Sequence, residues 1–120
     1  MDKMETPKEL KKLEFIYGLN ERELEILFYL AKTKEELNAD ELSEKLNISR
    51  ACIMSYIKKL ENKGLLLRRR DSRKTRKGKP AYVYYVDSKK IKERIVEDVD
   101  ELVANAMKTI VKTYEEVPRT

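Results

Sequence analysis

The sequence predicts a mainly helical α+β fold, and three observations carry that prediction. Two capping boxes, Asn20 with Glu23 and Asn38 with Glu41, each precede an apolar-periodic segment. Ser49 caps a further helix so soon after Asn47 that two short helices must meet across a tight turn. The apolar run Leu65-Leu66-Leu67 and the Tyr- and Val-rich run Ala81 to Val86 read instead as two antiparallel strands.

At the N-terminus, Thr6 acts as a cap, Pro7 fits the first helical position and Glu9 closes a box. Leu10, Leu13, Ile16 and Tyr17 then form one apolar stripe up to Gly18. From Asn20 a second helix runs to about Lys32. Its apolar residues cover more than one face, so it is expected to pack on the core with one side and on another helix, of this chain or a partner, with the other. Asn38 opens a short helix that buries Leu42 and Leu46 and ends near Asn47. The helix from Ser49 buries Ile53, Ile57 and Leu60, and Gly64 supplies its left-handed stop. Between the two strands, the loop with Gly78 and Pro80 is a wing. Alternation does not decide which of Tyr82, Tyr84 and Tyr85 face inward, because both faces are apolar. Ser88 caps a last helix to about Tyr114, with Pro118 beyond it.

That last helix carries Val96, Val99, Val103, Ala106 and Ile110 at spacings of 3 and 4, the rhythm of a coiled-coil seam, widened by Ile95, Leu102, Met107 and Val111. A domain this small has nothing to cover its distal half, so pairing with a second copy is expected. The expected dimer interface comprises Leu13, Ile16, Ile26, Leu30, Ile95, Val96, Val99, Leu102, Val103, Ala106 and Ile110. The organisation is therefore an N-terminal helix (1–18), a winged helix-turn-helix domain (19–87) and a C-terminal dimerisation helix (88–120).

Charge singles out the wing. The chain has a net charge of +5, yet Arg68 to Lys79 alone carries +7, leaving −2 for the remainder. An evenly solubilising surface is not distributed this way, whereas a polyanion-binding site is. Arg68, Arg70, Arg73, Lys74, Arg76, Lys77 and Lys79 are therefore expected on phosphates or in a minor groove. With Ile53, Ile57 and Leu60 inward, 100° per residue turns Ala51, Ser55, Lys58 and Asn62 outward, with Met54 and Lys59 flanking. In a duplex major groove the first turn, Ser49 to Ala51, lies nearest the bases. Arg50 and Ser55 are the base-reading candidates, and Lys58 and Lys59 the phosphate contacts. Cys52 sits in that same turn, where a helix dipole lowers a thiol pKa, but a small packing residue is the simpler reading.

From Leu13 to Val111 the chain resembles the Lrs14-like regulators of archaea, winged-helix proteins related in architecture to the MarR and TrmB groups. The residues that carry the resemblance are Glu14-Phe15-Ile16-Tyr17-Gly18-Leu19, Ser49 to Gly64 ending in Leu60-Glu61-Asn62-Lys63-Gly64, and Gly78-Lys79-Pro80-Ala81-Tyr82-Val83-Tyr84. The resemblance implies a homodimeric transcription regulator whose C-terminal helices pair antiparallel. It also implies DNA reading by Ser49 to Lys59 and phosphate or minor-groove contacts by Arg70 to Lys79.

Other classes fit poorly. The chain has no histidine, one cysteine and three glycines, none of them in a phosphate-cradling loop. No enzyme, cofactor or metal site is therefore expected. No stretch has the length of uncharged apolar residues that a membrane span needs, and a single cysteine fits a reducing cytoplasm. No polar signature marks an effector pocket. The competing reading is an architectural, chromatin-type protein with little sequence preference. RNA binding is disfavoured because no platform of exposed aromatics can be inferred.

Overall fold

The three central helices begin at the polar residues that the sequence marks for them. In the computed structural model, which describes residues 8–72 and 81–116, the order is α1 (Lys8–Tyr17), α2 (Glu21–Thr33), α3 (Ala39–Leu46), α4 (Arg50–Asn62), β1 (Leu67–Arg70), β2 (Tyr82–Tyr85) and α5 (Ser88–Glu116). Asn20 Oδ1 accepts from the Glu23 amide at 2.8 Å while Glu23 Oε1 accepts from the Asn20 amide at 2.8 Å. The same reciprocal pair joins Asn38 and Glu41. Two of the orphan donors at each helix start are thereby satisfied. The Ser49 hydroxyl caps α4 through the Cys52 amide at 3.3 Å. Thr6, Pro7, Gly78, Pro80 and Pro118, to which the sequence reading assigned caps or breaks, lie outside the described residues.

The core is where α2, α3 and α4 meet. Leu24, Ile26, Leu30, Leu42, Ile53, Ile57 and Leu60 are each at most 1% exposed. α2 packs against α1 and also against α4, which explains its two apolar faces. Both of its partners belong to the same chain. The expectation that Ile26 and Leu30 face a second protomer is therefore corrected: their side chains are wholly enclosed and have no surface to offer.

The small sheet is wider than the two expected strands. β1 and β2 pair antiparallel, Leu67 with Tyr85 through Arg70 with Tyr82. On the other edge of β2, Leu37 exchanges backbone hydrogen bonds with Tyr84 at 3.1 and 2.7 Å. The linker between α2 and α3 thus acts as a third, one-residue strand. It anchors the hairpin to the helical core and leaves Tyr84 buried, with Tyr82 and Tyr85 half-exposed. On the loop side of the Arg70–Tyr82 pair, the Asp71 amide donates to the Ala81 carbonyl at 2.8 Å.

α5 begins one residue differently from expectation. Asp87 rather than Ser88 is the cap, its Oδ1 accepting from the Lys89 and Lys90 amides at 3.0 and 3.1 Å. Ile91 and Ile95 rest on the core and Asp98 meets Tyr17, and beyond Val99 every described residue of the helix is exposed. Its 29 residues span about 43 Å at 1.5 Å per residue, and none of them is buried. Among the described residues no helix is long and apolar enough to cross a membrane.

One buried carboxylate ties the helices together. Glu23 is 2% exposed, and besides capping α2 its Oε1 lies 3.0 Å from Lys59 Nζ on α4. Lys59 also donates to the Gly18 carbonyl at 2.6 Å, so α1, α2 and α4 converge on one ammonium. Replacing Glu23 with Ala removes a cap and leaves that ammonium without its counter-charge, a loss of about 2–3 kcal/mol. Glu21→Ala, at an exposed position in the same first turn, is expected to cost less than about 1 kcal/mol. Equal thermal midpoints for the two variants would contradict this role.

Candidate nucleic-acid interface

α4 presents two unlike faces because its apolar residues recur at three and four positions. Ile53, Ile57 and Leu60 are buried, while Ala51, Ser55 and Lys58 are exposed on the opposite side, with Met54 beside them at 42%. No acidic residue occurs from Arg50 to Leu60, so this outer row carries only positive and neutral groups. Ser49 is exposed, with its hydroxyl already accepting the capping bond. Cys52 is an exposed free thiol, and Tyr56 is half-buried against the core.

Lys59 departs from the sequence reading. Its ammonium faces back toward Gly18 and Glu23, so it fastens α4 to the domain instead of extending from the outer row. Nothing local signals this role, because its carboxylate partner lies 36 positions earlier in the chain. Arg50 is exposed at the start of α4 and pairs with Asp40 in the first turn of α3.

The base of the hairpin sits against the end of α4. Arg68 lies over the Tyr82 ring, 4.4 Å from its centroid, and its Nε is 3.4 Å from Glu61 Oε2. A guanidinium over an aromatic face is attracted by the ring quadrupole, so Arg68 is held in place on the strand. Arg69, which sequence reasoning did not assign, pairs with Glu36 ahead of α3. Arg70 is exposed at the end of β1. Arg73, Lys74, Arg76, Lys77 and Lys79 lie outside the described residues. The described structure thus brings the end of α4 together with Arg68 of β1 at Glu61. Burial pushes the Glu61 carboxyl above its ordinary value, against the opposing pull of Arg68. Burial likewise raises the Tyr84 phenol, which the nearby Glu61 charge raises further and Arg68 lowers.

The expected pairing surface is distributed along two helices. On α5, Val96, Leu102, Val103, Met107, Ile110, Val111 and Tyr114 are 48–60% exposed, Ala106 is exposed and Val99 is half-buried. Ile95 is half-buried and packs on the core of its own chain, as does Leu13 on α1. Ile16 is 36% exposed, and its neighbour Phe15, which the sequence reading did not single out, is 94% exposed. The angle at which α5 leaves the domain is set by a polar cluster. Tyr17 Oη donates to Asp98 Oδ2 at 2.6 Å, and Arg94 Nε donates to the same oxygen at 3.2 Å. Burial and the Asp98 carboxylate together raise the Tyr17 phenol well above its ordinary range, so it stays a donor. Arg94 also packs over Gly64, where an added Cβ would lie 3.2 Å from the guanidinium nitrogen. Gly64 has φ +75°, so the helix stop favours glycine there, and the lack of a Cβ also leaves room for Arg94.

Among the described residues no group of His, Cys, Asp and Glu is placed to hold a metal ion. The helix-turn-helix, the wing base and the long terminal helix together are the architecture of winged-helix regulators. A family model described as "Sugar-specific transcriptional regulator TrmB" matches residues 13–89. The chain belongs to the TrmB family of transcriptional regulators.

The match to this family begins within α1 and ends just after α5 starts, so it covers the helix-turn-helix and the wing. Similar solved structures extend over more of the chain. A possible transcriptional regulator from Methanosarcina mazei shares 19% identity at a TM-score of 0.76, with 97% of each chain covered. A protein from the archaeon Sulfolobus tokodaii shares 20% identity at a TM-score of 0.65, covering 84% of this chain and 92% of its own. MepR of S. aureus in complex with DNA shares 19% identity at a TM-score of 0.57, covering 89% and 87%. No match is found among curated proteins. The family, like the regulators this fold resembles, comprises transcriptional regulators and not enzymes.

The raised Glu61 carboxyl has a consequence for stability. A carboxyl whose folded pKa exceeds its unfolded one favours folding when protonated, and that contribution is lost as pH rises through the folded value. Glu61→Gln, which mimics the protonated form, should therefore match or slightly exceed the wild-type melting temperature at pH 7. The difference should vanish below the ordinary carboxylate range. A variant less stable than wild type at pH 7 would show that the Arg68 pair outweighs burial.

Proposed function

We propose that the chain is a homodimeric regulator that prefers particular sequences of double-stranded DNA, reading them with α4 in the major groove. The observation that carries this reading is the outer row of α4, a solvent-facing row to which positions 50–60 contribute no acidic residue, on a helix held by three fully buried side chains. Ser49, Arg50, Ala51, Met54 and Ser55 lie at the end that reaches base edges, and Lys58 is a turn further along toward phosphates. Arg68 and Arg70 continue the cationic surface onto the hairpin. Arg73, Lys74, Arg76, Lys77 and Lys79 extend it along the phosphate backbone or into a minor groove. A protein of the same fold, MepR, has been solved bound to DNA, which supports a duplex as the ligand.

In this reading residues 19–87 are the DNA-binding unit, 1–18 support it, and 88–120 form the pairing helix. Seven large apolar side chains about half-exposed along one helix are a heavy liability for a lone protomer. Burying the remaining half of each contributes on the order of 1 kcal/mol per side chain, enough in sum to favour antiparallel pairing of two α5 helices. In the same reading, Leu13 and Ile16 of α1 add to the pairing surface.

One observation favours a second reading. A +7 segment of twelve residues is more cationic than site selection requires, and an architectural protein coating DNA would carry such a charge. Competition separates the two. The regulator should bind a duplex selected from a random pool on the order of 10³-fold more tightly than a scrambled one at the same salt, and equal affinities would establish the architectural reading. Neutralising Arg73, Lys74, Arg76 and Lys77 together should weaken binding and flatten its salt dependence; an unchanged slope would remove the wing from the interface. Replacing Val99 and Val103 with Glu should yield monomers in sedimentation and sharply weaker binding to DNA with two half-sites. A wild type that sediments as a monomer would contradict the paired arrangement.

A further inference from the structure

A carboxylate stands against the side chain best suited to read a base. Arg50 opens α4 and Asp40 lies in the first turn of α3, ten positions earlier, and Arg50 Nη1 donates to Asp40 Oδ1. The backbone positions of both are fixed independently, by the Asn38 capping box and the Ser49 cap. Neither residue is interior support, since their side chains are 55% and 61% exposed.

We propose that Asp40 is a specificity-determining residue, which positions the Arg50 guanidinium for a guanine edge and keeps it from a phosphate. This rests on the reading of α4 as the helix that enters the major groove. Arginine has five N–H donors, and one contact at Nη1 leaves enough of them to fork onto guanine O6 and N7. These acceptors carry no net charge, so the neighbouring carboxylate does not oppose them. A phosphate arriving at the same guanidinium brings a second anion beside Asp40 and is repelled. Adenine offers an amino donor where guanine offers O6, which a guanidinium meets as donor against donor. Asp40 therefore weakens the sequence-independent contact while leaving the guanine contact in place, and discrimination is the difference between the two. Because an exposed ion pair is held only weakly, it orients the arginine without locking it away.

The test uses the full chain, a randomised duplex pool and four proteins: wild type, Asp40→Asn, Arg50→Lys and the double variant. Wild type should select guanine at a defined position. Asp40→Asn should bind scrambled duplex more tightly, with a log–log salt slope steeper by about 0.9 for one added phosphate contact. Its ratio of selected to scrambled affinity should fall about fivefold or more, with the guanine preference flattened. Arg50→Lys keeps the charge but not the fork, so it should abolish the guanine preference, and Asp40→Asn should change nothing further in that background. An unchanged ratio for Asp40→Asn, or equal loss of affinity for both duplexes, would overturn the proposal. A wild type without preference would overturn it too, while leaving DNA binding standing. A wild type that binds no duplex at all would remove the DNA reading itself. If the Asn variant fails to keep the wild-type melting temperature, Asp40→Ser, which retains a polar group in the first turn of α3, enters the same comparison.

Discussion

The contact of Glu23 with Lys59 is the constraint on which the remaining geometry depends. A carboxylate 2% exposed is expensive unless every oxygen contact is well made, and this one closes a capping box and receives an ammonium from another helix. The same ammonium reaches the Gly18 carbonyl, where α1 ends. Rotation of α4 about its axis is thereby fixed from its polar flank as well as by Ile53, Ile57 and Leu60. Apolar packing alone tolerates small rotations of a helix, whereas a hydrogen-bonded charge does not. The outer row from Ala51 to Lys58 therefore has one direction relative to the hairpin.

Around that row the cations are arranged with more care than the net charge suggests. Arg50 meets Asp40, Arg68 meets Glu61 and the Tyr82 ring, and Arg69 meets Glu36. Each partner comes from a different element, so the hairpin base, α3 and α4 are cross-connected by groups that also shape the surface potential. Such exposed pairs add little to stability. Their effect lies in where the arginines point and in how strongly a bare phosphate attracts them. On the proposed reading, this sets a paired, orientable set of arginines on the described surface against a densely cationic segment in the wing.

α5 joins two different physical situations in one helix. Its first turns are held by Ile91, Ile95, the Tyr17–Asp98–Arg94 cluster and the close approach over Gly64, so its exit angle belongs to the domain. Beyond Val99 its large apolar side chains are about half-exposed. If two copies pair there, as proposed, the separation of their α4 helices follows from a rigid arm and a fixed elbow. Tyr17 then matters at a distance, because its hydroxyl is the donor that defines the elbow.

The elements and their order are legible along the chain. Capping boxes, the Ser49 cap, a left-handed glycine and apolar spacing are local signals, readable within a turn or two, and the starts of α2, α3 and α4 follow them. At α5 the signal was present but off by one residue, because two adjacent residues are good caps and it is Asp87 whose oxygen accepts from the Lys89 and Lys90 amides. Which side chains face which neighbours depends on how the elements pack. Ile26 and Leu30 looked available to a partner and proved enclosed, Lys59 looked like a free cation and proved a fastening, and Leu37 became a strand partner of Tyr84 without any strand pattern of its own. Each of these rests on residues tens of positions apart, and periodicity records the faces of one element without recording what another element brings against them.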